Sequence, residues 1–306
     1  MSSTLDLTIA IPVKNEEKNL KGCLEAIGND FARHIIVIDS GSSDRTAEIA
    51  RAFGTELIEF KWNGKFPKKR NWLLRNYDFK TKWVLFLDAD EFLSEEFKEE
   101  LREKLSKNDK VGYWLSYTIY FMGEKLKGGY PLKKLALFQL GVGEYEKVTE
   151  EKWSQMDMEV HEHPIIRGAI GEIKSKIDHR DYQGIDHYIH KQNEYTKWEA
   201  SRYLNLSPES FRDMTWKQKI KYNLFSSVWI GPIYFVGSFI FLGGFRDGAR
   251  GFAFAMLKMS YFHQVYCRIK EMKRTGFSGH SLSLSQSKEQ IPGFYMTQKD
   301  SCISER

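Results

Sequence analysis

Cysteine is scarce: three in 306 residues, Cys23, Cys267 and Cys302, far apart and with no CxxC pair. That argues against a disulfide framework and a cysteine zinc site and for a reducing compartment. No GxGxxG follows the first apolar run and no GxxxxGK[ST] occurs anywhere, so the dinucleotide fingerprint and the P-loop are both excluded. The N-terminus lacks a basic segment followed by a long apolar one, since Asp6 and Lys14 bracket only a short run. No signal peptide is expected, and the chain reads as cytosolic or attached to the cytosolic face of a membrane. Charge of one sign is lacking only locally. Overall there are 46 Lys and Arg against 41 Asp and Glu, a net +5, but residues 200–274 hold 12 basic and 4 acidic side chains, a local +8. A basic excess confined to the most apolar part of the chain points to anionic lipid before nucleic acid, and no nucleic-acid partner is expected.

What is present is ordinary globular composition, 42% apolar and 28% charged. Residues 7–13 form an apolar, β-branched run that predicts a buried strand, and residues 35–39, 55–60 and 83–87 predict three more. Between them lie helical patterns: Leu20, Cys23, Leu24 and Ile27 at i, i+3, i+4, i+7 spacing, RTAEIARAF after Asp44, and a helix entered through Pro67. Alternating strand and helix imply an α/β fold with a mostly parallel sheet covered on both faces. Such sheets bind ligands beyond the carboxyl ends of their strands. Residues 113–120 and 135–140 read as further strands, 185–205 and 252–269 as helices, and 276–306 as a loose polar tail.

The polar clusters fall at strand ends. Asp88 and Asp90 follow the apolar WVLFL, and two carboxylates one residue apart at the mouth of a sheet suit a hard divalent cation; alternatively Asp90 caps the next helix. Pro12-Val13-Lys14-Asn15-Glu16-Glu17 follows the first strand, where an acid repels pyrophosphate but suits a ribose or base edge, or simply favours a helix N-terminus. Asp39 ends the second strand and is a ligand candidate, whereas Asp44 reads as a helix cap. Lys69, Arg70 and Asn71 supply donors suited to phosphate, while Lys68 reads as solvated helix face. His161, His163, His187 and His190 at alternate and HxxH spacing raise zinc, which the intervening Glu162 and crowding tyrosines argue against.

PVKNEEKNL, VIDSGSSDRTAEIA, KKRN and FLDADE, in this order and spacing, resemble a family 2 glycosyltransferase of GT-A fold over about residues 5–130. More loosely, VHEHPIIRGAI and KIDHRDYQGIDHYIHKQNEYTKWEA resemble the lipopolysaccharide core-biosynthesis β-glucosyltransferase-like group. The resemblance implies inverting transfer of a hexose from a nucleotide-diphosphate sugar, UDP-linked, with Mg²⁺ or Mn²⁺ as cofactor and a lipid-linked or lipopolysaccharide-core saccharide as acceptor. It implies Pro12, Glu16, Asp39, Arg70 and Asp88 around the donor and Asp88, Asp90 and His179 around the metal. It implies Glu162 as the catalytic base, with Glu159 and Asp157 as alternatives. Inversion needs one base on the acceptor side and one charge sink on the leaving side, which these residue types supply. A polyprenyl-phosphate glycosyltransferase, whose phosphate acceptor needs no strong base, and a non-enzymatic membrane-binding module stand as alternatives. A sugar-nucleotide pyrophosphorylase would carry a Gly-rich, Arg-containing loop where this chain is acidic.

Leu224–Gly244 carries no charge over 21 residues, enough to span a bilayer, but Gly231, Pro232 and Gly237 interrupt it and basic residues flank both sides. An in-plane amphipathic arrangement on a membrane surface is expected instead. The expected organisation is a glycosyltransferase domain over 1–195, with donor binding in 1–110 and the acceptor side in 111–195. A helical membrane-associating region over 196–275 and a flexible tail over 276–306 complete it, on the cytoplasmic face of a bacterial inner membrane.

Overall fold

The computed structural model describes residues 4–147, 164–181, 183–214 and 216–275. The chain opens β1 (Leu5–Val13), α1 (Leu20–Ile27), β2 (Ala32–Asp39), α2 (Thr46–Ala52), β3 (Glu56–Glu59), α3 (Lys69–Asn76) and β4 (Trp83–Phe86). It continues with β5 (Glu91–Phe92), α4 (Glu95–Lys107), β6 (Gly112–Phe121), β7 (Glu124–Lys125), β8 (Leu132–Gln139), β9 (Gly143–Tyr145), β10 (Pro164–Ile166) and β11 (Ile170–His179). The main sheet runs β3-β2-β1-β4-β8-β6-β11-β5. Its first four strands are parallel, as the strand–helix alternation requires, and β6 is parallel to β11. Strand β8 is antiparallel to both β4 and β6.

Two cores explain the apolar strands. The alternate residues Leu7, Ile9, Ile11 and Val13 of β1 pack with Leu20, Cys23, Leu24 and Ile27 of α1 and with Phe97 and Leu101 of α4. Ala10 faces the other way, with Ile36, Ile38, Phe86 and Leu73. A sheet buried on both faces has no polar side, so its strands read as continuous hydrophobic runs. The fold class expected from the sequence is the one observed.

Two loops depart from it. Helix α1 starts only at Leu20, because residues 15–17 give their backbone N–H groups to the loop after β2. Asn15 (φ 57°) donates to Ser42 Oγ (2.8 Å), Glu16 to Thr46 Oγ1 (2.8 Å) and Glu17 to Asp44 Oδ2 (3.1 Å). Ser43 N in turn donates to Asn15 Oδ1 (2.8 Å). The two loops at the sheet's carboxyl edge are thus laced into one rigid rim. Asp44 also accepts from Thr46 N (3.0 Å), but the N-cap of α2 is Arg45, so the expected capping role gives way to this bridging one, one residue ahead of the cap.

Beyond β11 come α5 (Ile185–Leu204), α6 (Pro208–Asp213), α7 (Trp216–Leu224), α8 (Ile230–Val236) and α9 (Gly248–Thr275). The charge-free stretch is broken by a π turn at Gly237–Phe241 and a 3₁₀ turn at Gly244–Asp247. Among the described residues no helix is long and apolar enough to cross a membrane. These helices share their own core, with Phe225, Ile230, Phe262 and Val265 at its centre. They dock on the sheet where Asp247 accepts from Lys127 N and Gly128 N (2.9 and 3.2 Å) and Ser238 Oγ donates to Gly129 O (2.6 Å). Glycine is required at this junction: a Cβ on Gly128 would lie 2.4 Å from Gly243 O.

Candidate active site

The carboxyl ends of β1 and β4, the distal end of β11 and one face each of α5 and α9 enclose a cleft of about 600 Å³. Pro12, Glu16, Arg70, Asp88, Asp90 and His179 all line it, so six of the sequence-derived candidates converge. Asp39 is buried at the end of β2, where its carboxylate accepts from Ser42 N (3.0 Å) and Ser42 Oγ (2.6 Å). It holds the rim turn and is not part of the cleft lining. Glu162, Glu159 and Asp157 lie outside the described residues.

Strand pairing explains why His179 meets Asp90. The two residues of β5 pair antiparallel with the end of β11, Glu91 opposite His179 and Phe92 opposite Asp178. Arg180 N also donates to Asp90 O (2.9 Å). The result sets His179 Nε2 3.6 Å from Asp90 Oδ1. Burial opposes charge on both partners, but their mutual attraction wins, raising the imidazole and lowering the carboxyl from their ordinary values. Asp90 does not cap a helix. That role belongs to Ser94, whose Oγ accepts from Phe97 N (3.2 Å).

Asp88 is held differently. Its Oδ1 accepts from Arg70 (2.7 Å) and its Oδ2 from Lys134 of β8 (2.7 Å). Burial works against ionisation, yet Lys134 and Arg70 together keep the carboxyl well below the usual range. Lys134 also binds Glu91 Oε1 (2.5 Å), a carboxylate only 1% exposed that burial pushes up to about 7. The expected metal set of Asp88, Asp90 and His179 is therefore not assembled as three: both Asp88 oxygens are taken by cations. Among the described residues no group of three His, Cys, Asp or Glu side chains forms a metal cluster. Asp90 and His179 do fit a divalent ion, as an adjoining O and N donor pair facing the cleft. Magnesium-type sites commonly take one or two protein ligands and complete the shell with substrate phosphate.

Lys68 and Lys69 are 4% and 2% exposed, which corrects the solvated reading of Lys68. The start of α3 is driven into the protein: Lys69 Nζ donates to Val13 O (3.1 Å). Asn71 exchanges two hydrogen bonds with the backbone of Tyr145, both 2.9 Å. Tyr145 then packs edge-on to Phe86 and beneath the Arg70 guanidinium, fixing Arg70 toward Asp88. Glu16 is raised by burial, with the neighbouring Asp90 adding to it against the Asn19 hydrogen bond.

Sequence reasoning missed Lys134, Glu91, Lys191 and Tyr195. A signal existed for two of them: Tyr188, Lys191 and Tyr195 recur at i, i+3, i+7 on α5 and face the cleft together. Lys134 had only the oddity of a lysine entering an apolar strand.

The model of the family described as Glycosyl transferase family 2 matches residues 8–173. The lipopolysaccharide core biosynthesis glycosyltransferase LpsC of Rhizobium meliloti is 26% identical over 274 residues, 85% of this chain and 90% of that protein. The S. aureus TarS crystal structure aligns over 89% of this chain and 92% of that one at 14% identity, with a TM-score of 0.40. Glucosyl-3-phosphoglycerate synthase of Mycobacterium tuberculosis, crystallised with Mn²⁺ and UDP, aligns over 40% of this chain and 46% of that one at 22% identity, with a TM-score of 0.31. The family match covers more than half of the chain, running from β1 into β11 and taking in the acids that end β1, β2 and β4. The chain belongs to glycosyl transferase family 2 and is a glycosyltransferase.

Proposed function

We propose that the protein transfers a hexose, with inversion, from a UDP-linked sugar to a saccharide of the lipopolysaccharide core or another lipid-linked carrier. The observation that carries the reading is the convergence of Glu16, Arg70, Asp88, Asp90 and His179 on one cleft at the carboxyl edge of the sheet. The likeness to LpsC along nearly the whole chain supports the acceptor class.

In this reading Glu16 and Asp39, at the ends of β1 and β2, meet the nucleoside, Asp39 through the turn it braces. Arg70 stands beside the diphosphate, held flat against Tyr145 so that its fork keeps one direction. Asp90 and His179 hold Mg²⁺ or Mn²⁺, which when bound neutralises charge on the leaving diphosphate. Glu162 removes the proton of the attacking acceptor hydroxyl, a role open to any carboxylate brought within hydrogen-bond reach. Holding both sugars in line supplies much of the remaining rate. The division into a donor half over 1–110, an acceptor half over 111–195 and a helical region over 196–275 follows the same reading.

The helical region supports a membrane surface as the meeting place. Trp229 before α8, Phe241 at the end of the π turn and Phe245 in the 3₁₀ turn are 66%, 82% and 57% exposed, and Arg246 next to Phe245 is exposed too. Exposed aromatics within a segment that carries a net +8 in sequence suit an anionic lipid interface. In this reading the docking is to the cytoplasmic face, where the few, scattered cysteines would stay reduced. The double variant Phe241→Ser/Phe245→Ser should release the protein from vesicles containing anionic lipid. Unchanged retention, or a shift in oligomeric state instead, would refute the lipid assignment.

The donor assignment is tested by thermal shift against UDP, GDP and dTDP with Mn²⁺. A ligand at about 100 times its Kd adds roughly 2.7 kcal/mol. UDP should stabilise the wild type and fail to stabilise Asp90→Ala; stabilisation by none of the three sinks the reading. Glu162→Gln should then lose transfer while keeping UDP binding, and full turnover in that variant moves the base to Glu159 or Asp157.

A further inference from the structure

The cleft extends past the strand-end acids to a second pole on α9. There Phe254, Lys258, Tyr261 and Phe262 follow i, i+4, i+7, i+8 spacing, so one helix face lines the wall. Lys258 points its ammonium among rings: 4.6 Å from the centroid of Tyr130, 5.4 Å from Phe254 and 5.9 Å from Tyr261. The other cationic side chains of the cleft are each matched with a carboxylate. Arg70 has Asp88, Lys133 has Glu172 and Lys134 has Asp88 and Glu91. Lys191 has Asp181 at 3.6 Å, and Lys221 has Glu199 at 2.9 Å. Among the described residues Lys258 alone in this set has no carboxylate within ion-pair distance.

A second observation points to the same place. The Tyr188 hydroxyl is buried, lines the cleft, and has no hydrogen-bond partner among the described residues. Its ring packs against Phe254, one turn of α9 before Lys258. A buried hydroxyl without a partner costs free energy, as does an ammonium lifted from water with no counter-charge. One ligand would satisfy both: a group bearing negative charge and able to accept a hydrogen bond. Burial among rings already lowers Lys258 to about 8, against the pull of Asp181, which an arriving anion would reverse.

We propose that Lys258 and Tyr188 form a subsite for an anionic group on the acceptor, a phosphate or a carboxylate, with the surrounding rings covering the adjoining sugar. The proposal deepens the acceptor assignment above and rests on it only for the identity of the molecule that carries the anion. Lys191, which lines the same cleft, feels Tyr195 and Asp181 as well as Asp90 and Asp88. The subsite is thus within reach of one saccharide chain whose hydroxyl meets the donor.

The test uses the full chain and two small probes, methyl phosphate and acetate, titrated calorimetrically into wild type, Lys258→Met, Lys258→Arg and Tyr188→Phe. Wild type should bind one probe, whichever is preferred naming phosphate or carboxylate. Lys258→Met should weaken that binding at least tenfold, Tyr188→Phe about threefold to tenfold, and Lys258→Arg should restore most of it. Unfolding temperatures measured alongside confirm that each variant is folded, and Tyr188→Phe tests the subsite even where Lys258→Met is not. Equal binding by wild type and both loss variants, or no binding of either probe by the wild type, overturns the proposal. UDP with Mn²⁺ titrated into the same samples separates the two readings. UDP should bind all four alike, and its failure to bind any would strike the donor assignment while leaving the anion result to stand by itself.

Discussion

Asn71→Ala is a stability prediction whose size can be worked from geometry. The Asn71 side chain is fully buried, donates from Nδ2 to Tyr145 O and accepts at Oδ1 from Tyr145 N, each at 2.9 Å. Truncation takes the side-chain partner from a buried backbone donor and a buried backbone acceptor of Tyr145. At about 1–3 kcal/mol for each stranded group the loss is roughly 2–6 kcal/mol, and we expect about 3 because some relaxation is always open. Asn76 supplies the internal control: it sits in the same helix and donates from Nδ2 to Trp72 O (2.8 Å), but it is exposed, so water replaces its partner. Asn76→Ala should fall within about 0.5 kcal/mol of wild type. Urea unfolding followed by tryptophan fluorescence should lower the midpoint for Asn71→Ala with an unchanged slope. If the two variants differ by less than about 1 kcal/mol, the latch between α3 and β9 does not hold the cleft wall, and the fixed orientation of Arg70 loses its basis.

Four further outcomes follow from the site. His179→Ala should lower Mn²⁺ affinity in the presence of UDP at least about tenfold, measured by electron paramagnetic resonance of free Mn²⁺. Asp88→Asn should bind UDP more tightly than wild type when metal is chelated, because it removes the charge that competes with phosphate for Arg70 and Lys134; weaker metal-free binding would refute that. Ser42→Ala removes the hydroxyl that joins Asn15 N to Asp39, and at about 1 kcal/mol per net hydrogen bond it should weaken UDP about fivefold by calorimetry. Anion binding at Lys258 should be strongest below pH 8 and fall above it as the ammonium loses its proton. The facing Asp181 opposes that loss, Lys191 and Lys221 favour it, and Tyr130 and Tyr261, both raised by burial, stay neutral. A probe affinity that is flat from pH 6.5 to 9.5 would exclude the lysine.

What could be read from the sequence was whatever one strand and its following loop decide. Asp88 and Asp90 were legible because WVLFL can only be buried, and a buried strand delivers its end to a fixed place. Asp39 was legible for the same reason, although its carboxylate turned out to brace Ser42 rather than open to the cleft. The environment of Asp88 was not legible, since Lys134 arrives from a strand 46 positions away whose antiparallel insertion beside β4 no local pattern announces. Nor was the buried start of α3, where Lys69 and Asn71 are drawn in by Val13 and Tyr145, partners set by tertiary packing. His179 was placed by resemblance, and the physical cause appears only in the two-residue strand β5, too short for any periodicity to mark.

The pairing around Asp88 bears on what the divalent ion of the proposed reaction would add. Around the end of β4 three carboxylates, Asp88, Asp90 and Glu91, face Arg70, Lys134 and the imidazole of His179. With each acid set against a basic group and burial raising Glu91, the cluster as folded carries little net charge. A diphosphate approaching it meets guanidinium and ammonium groups already engaged by Asp88, and each must be shared before it can bind phosphate oxygen. Such a cluster gives orientation but little net attraction. A dication held by Asp90 and His179 would add positive charge there while leaving the Asp88 pairs as they are. The two cations on Asp88 then serve to hold that acid ionised and in place, and removing its charge should loosen the dependence on metal rather than deepen it.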